Sequence, residues 1–158
     1  MATVTAARAA STFPVFKATG AGVMCVAYGT YEIATALSAN DVVEFCRLPK
    51  GAVVVGGWLY GDDIDTGTGT LEIDVGYAAN GTEVADPDAF LNSGAITGSA
   101  FAAGNVSNVA GIMYPLNGVL KDGPLTLSAE TVVTGTITAA ANAGGTGTVS
   151  VVVHYVVP

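Results

Sequence analysis

The clearest pattern in the chain is the alternation in Leu71-Glu-Ile-Asp-Val-Gly-Tyr, where Leu71, Ile73, Val75 and Tyr77 share one face and Glu72 and Asp74 the other. A period of two predicts a β-strand with one dry face and one wet face. Similar short, β-branched or aromatic runs occur at Val23–Tyr28, at Val42–Leu48 and at Ala52–Val55, the last continuing through Trp58-Leu-Tyr, each bounded by Gly, Pro or Asn-Asp. Near the end come Thr131–Thr138 and Thr148–Val157, separated by a Gly144-Gly145 turn. In the closing run Val149, Val151, Val153, Tyr155 and Val157 take one face, and Ser150, Val152, His154 and Val156 take the other. Between these halves lie Ala95–Phe101, then Ile112–Leu116 and Val119–Leu120 flanking Asn117-Gly118, a two-residue hairpin signal.

One helical signal interrupts the strands. Asp86 is placed to cap, Pro87 stands at the first helical position, and Ala89-Phe90-Leu91 lead to Gly94 as a stop, which predicts one short helix. Residues 1–20, rich in Ala and Thr and holding Arg8 and Lys17 without an acid, show neither period and read as an extended N-terminal arm before a domain over 21–158. Gly67–Tyr77 echoes Gly145–Tyr155, but a single echo is two similar turn-strand units and not a stacked repeat. About eight or nine strands without a βαβ rhythm predict an all-β fold, a single antiparallel sandwich that is jelly-roll-like or immunoglobulin-like.

Composition sharpens this. The chain of 158 residues is 51% hydrophobic but only 11% charged, against roughly 25% charged in an ordinary soluble domain. Its surface is therefore built from Ala, Thr, Ser, Gly and Val, which suits burial against copies of itself or a partner better than life as a lone monomer. No apolar stretch is long enough to span a membrane as a helix. The opening residues lack a continuous apolar core before Pro14, so no signal peptide is expected and the Asn80 and Asn105 glycosylation matches carry little meaning.

The net charge of −8 is concentrated. No Lys or Arg occurs between Lys50 and Lys121, whereas Asp62, Asp63, Asp65, Glu72, Asp74, Glu83, Asp86 and Asp88 do. Without clustered cations, neither nucleic acid nor an anionic membrane surface is an expected partner.

Candidate chemistry is sparse. His154 stands alone, with no Gly-x-Ser-x-Gly elbow for a hydrolytic triad. Carboxylate pairs suited to glycoside hydrolysis are plentiful but nonspecific. Asp63-Ile-Asp-Thr-Gly begins like a calcium loop, then places Gly67 at position five and Asp74 at position twelve, where an EF-hand needs an oxygen ligand and a Glu. Cys25 and Cys46 lack metal or redox spacing and read as buried thiols. No catalytic residue, no metal and no cofactor is expected, and the protein is not expected to be an enzyme.

The run Gly51-Ala-Val-Val-Val-Gly-Gly-Trp-Leu-Tyr, the strand Leu71–Tyr77 with Asp86-Pro-Asp-Ala-Phe-Leu after it, and the closing Thr148-Val-Ser-Val-Val-Val-His-Tyr together resemble the small β-sandwich head proteins of tailed bacteriophages, called decoration, cement or auxiliary capsid proteins. The resemblance covers most of Tyr28 to Pro158 in style rather than by an invariant motif, so no functional residue carries over. It implies a non-enzymatic jelly-roll-like protein, a dimer or trimer, that binds the major capsid protein on the virion exterior and braces the head, made in the host cytoplasm. The acidic segment is expected to face outward, and the arm to order against a neighbouring subunit. A carbohydrate- or receptor-binding sandwich is the competing expectation, and its ligand would meet Trp58, Tyr60 or Tyr77.

Overall fold

The computed structural model describes residues 1–15, 22–62, 64–66, 70–92, 112–116, 118 and 123–158. These hold ten strands: β1 (Thr3–Thr5), β2 (Cys25–Ile33), β3 (Val42–Leu48), β4 (Val53–Gly61), β5 (Glu72–Tyr77), β6 (Asp86–Leu91), β7 (Ile112–Pro115), β8 (Leu125–Thr126), β9 (Thr131–Ala139) and β10 (Gly147–Val156). One sheet has the order β1-β3-β9-β5-β6, and the other β2-β10-β4-β7 with β8 pairing β4 at one end. All pairings are antiparallel except that of β1 on β3.

The topology is a jelly roll. With β1 and β8 set aside, β2 pairs β10, β3 pairs β9, β4 pairs β7 and β5 pairs β6. These nested pairs amount to one long antiparallel hairpin whose successive layers alternate between the two sheets.

Alternation builds the core. Val43, Phe45, Ile73, Val75, Phe90, Val133 and Ile137 from the first sheet meet Ala27, Val54, Leu59, Val149, Val151, Val153 and Tyr155 from the second, all of them buried. A bulge between Glu44 and Cys46 turns both Phe45 and Cys46 inward. The sheets meet most closely where β2 crosses β3: a Cβ on Gly29 would sit 2.0 Å from the Phe45 carbonyl oxygen, so only glycine fits there. Between β9 and β10, Gly144 and Gly145 both take positive φ, forming the turn expected of them.

One local expectation is corrected. Asp86–Leu91 is strand β6 and not a helix. A helix of one or two turns gains few hydrogen bonds for the cost of nucleating it, whereas the strand pairs Tyr77 with Asp86 and Val75 with Leu91 and buries Phe90 and Leu91 completely. Pro87 is tolerated because β6 is the edge of its sheet, where a missing N–H breaks no ladder. Gly118 has helical backbone packed against the Ala89 and Phe90 main chain, and Asn117, the other turn residue of the expected hairpin, lies outside the described residues. Ala95–Phe101, Val119 and Leu120 lie outside the described residues.

The N-terminal residues join the first sheet. Thr3, Val4 and Thr5 pair with Val42, Val43 and Glu44, and Ala6 and Ala9 are buried beyond them.

Candidate docking face

The two sheets present contrasting outer surfaces. In the first, the outward positions include Glu44 on β3, Thr136 on β9 and Glu72 on β5, while Thr134 and Asp74 beside them are buried. Asp86 on β6 instead pairs with Tyr77 and lines a small pocket with Pro124 and Leu125, and Glu83 accepts from the backbone N–H of Ser128 at 2.8 Å. Arg47 on β3 is paired with Glu130. A groove of about 450 Å³ crosses the surface, lined by Met1, Val42, Glu44, Tyr77, Pro87 and Thr134 among others.

The outer surface of the second sheet is almost uncharged, and its register reads as rows across β2, β10, β4 and β7. The first row sets Val26 and Gly56 either side of His154. The second runs Tyr28, Val152, Trp58, Pro115, and the third Thr30, Ser150, Tyr60, Met113. Of the eight exposed large apolar side chains among the described residues, Val26, Tyr28, Trp58 and Met113 lie on this face, and Val23 and Met24 enter β2 just before it. A contiguous apolar patch of this kind marks a surface that meets something.

Polar groups on the face satisfy one another. Thr30 and Ser150 share a hydrogen bond of 2.9 Å. At the lower margin Thr148 donates to Glu32 at 2.7 Å, and the Tyr60 hydroxyl donates to Asp62 at 3.2 Å. That bond to a carboxylate, with some desolvation, raises the Tyr60 pKa by favouring the neutral phenol. At the β2 edge Arg8 lays its guanidinium 4.1 Å over the Tyr28 ring and donates to its hydroxyl at 2.7 Å, a cation–π contact that also covers Phe13.

The remaining sequence candidates fall as follows. Trp58 and Tyr60 are side by side on the uncharged face, whereas Tyr77 is on β5 of the other sheet, mostly buried, with its ring centroid 6.0 Å from that of Phe90. His154 is on the outer face with Ser150, Val152 and Val156, as the alternation requires. Asp65 is fully buried, and its carboxylate accepts backbone N–H groups from Thr70 (2.6 Å), Leu71 (3.1 Å), Asn142 (3.3 Å) and Ala143 (3.4 Å). It fastens the loop after β4 to the β9–β10 turn, with which it forms a bridge at Gly144. Asp63 and Gly67 of the calcium-like stretch lie outside the described residues. Cys46 is buried and Cys25 half-buried, both as free thiols, and burial pushes the Cys46 thiol up to about 12. Among the described residues no helix is long and apolar enough to cross a membrane, and no group of three or more metal-ligating side chains converges.

What sequence reasoning missed is the breadth of the face. Tyr28, Val26 and Met113 belong to it as fully as Trp58 does. The signal was the alternation Val26-x-Tyr28-x-Thr30, which becomes informative only once β2 is known to lie beside β10.

The chain matches no family model, and no curated protein matches it. Among solved structures it is similar to a chain of the capsid of Ralstonia phage GP4, with 23% identity, a TM-score of 0.71 and 99% of each chain covered. It is also similar to a chain of the cyanophage Pam1 capsid asymmetric unit, with 24% identity, a TM-score of 0.62, and 94% of this chain and 97% of that one covered. A third likeness is to the acid-stable capsid of Helicobacter pylori bacteriophage KHP30, with 19% identity, a TM-score of 0.57, and 88% and 92% covered. At these identities the likeness is one of fold, and it extends over nearly the whole length of each chain: this jelly roll is a fold found in phage capsids.

Proposed function

We propose that the protein is a non-enzymatic structural component of a phage head, a decoration or cement protein that binds the major capsid protein on the virion exterior and stabilises the shell. The observation that carries this reading is the end-to-end fold match to capsid chains. The uncharged aromatic face supports it, because a surface of Val, Thr, Ser and Gly beside Tyr28 and Trp58 loses little side-chain entropy on burial compared with one of Lys and Glu. Several copies touching the lattice together gain avidity, so modest individual contacts hold firmly. The acidic side of the first sheet is the one we assign to solvent, where its carboxylates stay hydrated. The strand β1 and Arg8, within the arm expected at residues 1–20, pack on β3 and Tyr28 of the same chain, and we assign the exposed positions of the arm to contacts with a neighbouring subunit.

Sedimentation of the protein from its native source tests this. Travel with megadalton particles through a high-salt wash is the expected result, and migration only as a free small species would overturn it. A second reading rests on the pairing of Trp58 and Tyr60 on one face: side-by-side aromatic rings form a platform for a sugar ring. Retention on a glycan array, lost in Trp58→Ala, would favour that reading instead.

A further inference from the structure

We infer that Asn80 is a self-modifying position: its side-chain amide hydrolyses through attack by the Gly81 backbone nitrogen, and a ring of hydrogen bonds holds this reaction off while the β5–β6 turn stays fastened. The inference is independent of the capsid reading, since it concerns this turn and not the face of the second sheet.

The chemistry starts from two neighbouring residues. Asn80 is followed by Gly81, whose nitrogen no side chain shields. Gly81 is exposed, takes a φ of 88°, and has open space where a Cβ would stand. In the reaction the Gly81 nitrogen bonds to Asn80 Cγ and the Cγ–Nδ2 bond breaks. The proton of the Gly81 N–H passes by way of water to Nδ2, which leaves as ammonia. Water then opens the cyclic imide at one of its two carbonyls, giving aspartate when it attacks Cγ and isoaspartate when it attacks the main-chain carbonyl. Water is the sole co-reactant.

The structure supplies the gate. Attack requires the Asn80 amide to turn until Cγ meets the Gly81 nitrogen, and both ends of that amide are held. Oδ1 accepts the N–H groups of Thr82 at 3.0 Å and Glu83 at 2.8 Å, the pattern by which an Asn side chain closes a turn on its own backbone. Nδ2 donates to Thr131 Oγ1 at 2.7 Å and to the Glu83 carboxylate. The other Glu83 oxygen accepts the Ser128 N–H at 2.8 Å, and the Thr131 hydroxyl donates to the Ala129 carbonyl at 2.9 Å. The turn after β5 is thereby tied to the segment leading into β9, with an ionised carboxylate at the centre, where hydrogen bonds are strongest.

Opening that ring has a one-way consequence. The product carries a carboxylate where the amide stood, so it has no N–H to give Thr131 or Glu83. It also sets a second negative charge against Glu83, which opposes closure. A turn that has reacted therefore stays released from Ser128 and Thr131.

The test is peptide mapping by mass spectrometry of the purified full chain held at mildly alkaline pH, with aspartate and isoaspartate at position 80 counted together. In concentrated urea the ring is gone, and Asn80 is expected to react at a rate comparable with Asn117, whose next residue is also glycine. In the folded chain Asn80 is expected to react at least about tenfold more slowly than in urea, and Glu83→Ala to recover most of that factor. Thr131→Val removes one acceptor with little change of shape and is expected to give a smaller acceleration. Far-UV circular dichroism and a cooperative melt of both variants separate an opened ring from a lost fold. Asn80→Asp, the product itself, is expected to lose hydrogen-exchange protection at the Ser128 amide. An Asn80 that reacts as fast folded as in urea, one that stays intact in urea, or one whose folded rate neither variant changes would each overturn the inference. Full protection of Ser128 in Asn80→Asp would overturn the one-way release.

Discussion

Buried Asp65 shows how much a single side chain holds in this fold. Its carboxylate is fully enclosed and accepts four backbone N–H groups from two segments distant in sequence. Asp65→Ala leaves those donors buried without an acceptor, and we expect a loss of about 2–4 kcal/mol, read as a lower denaturant midpoint with an unchanged slope. Gly29→Ala forces a methyl group against the Phe45 main chain, and here we expect about 2–4 kcal/mol of overpacking cost in the same measurement. Neither role was legible in the sequence. The Asp63–Gly67 stretch resembled a metal loop because alternate acids look the same whether they bind a cation or main-chain amides, and the partners Asn142 and Ala143 lie some 77 residues or more away. Trp58 and Tyr60 were legible, because alternation alone puts them on one face opposite buried Leu59.

Among the elements, β1 has an attachment that depends on a titrating group. The N–H of Ala2 donates to Asp41 at 2.6 Å and that of Ser38 at 2.9 Å, and these bonds hold the Asp41 carboxyl below the usual carboxylate range against the opposing effect of desolvation. A folded pKa lower than the unfolded one means the folded state binds this proton more weakly. The stabilisation is therefore complete above the ordinary carboxylate range and is lost as pH falls through the lowered folded value. We expect the Thr3–Thr5 amides to lose hydrogen-exchange protection on acidification before those of β9 and β10, and Asp41→Asn to remove most of that pH dependence. Elements with a full alternation, such as β5 and β10, were legible because one buried face forces their register. β6 was not, because the Asp-Pro that opens it signals a helix start and an edge strand equally well, and only the pairing with Tyr77 and Val75 decides between them.

For the molecule as a whole, the class of fold followed from the strand count and turn chemistry, whereas the nesting of β2 with β10 and β3 with β9 did not. Those pairings join residues more than 80 positions apart, and nothing local marks Val26 as the neighbour of His154. The nesting is what assembles a surface from scattered pieces: it gathers four strands into one face that carries acids only at its Glu32 and Asp62 margin, and leaves Glu44 and Glu72 on the opposite side. The measurement that bears most directly on the capsid reading is near-atomic imaging of the particle with which this protein sediments. The account predicts ordered density for the jelly roll on the outside of the shell, with the β2–β10–β4–β7 face buried in a protein contact and the Glu44 and Glu72 side toward solvent. A shell without this chain, or one in which that face stands open while the acidic side is buried, would contradict it.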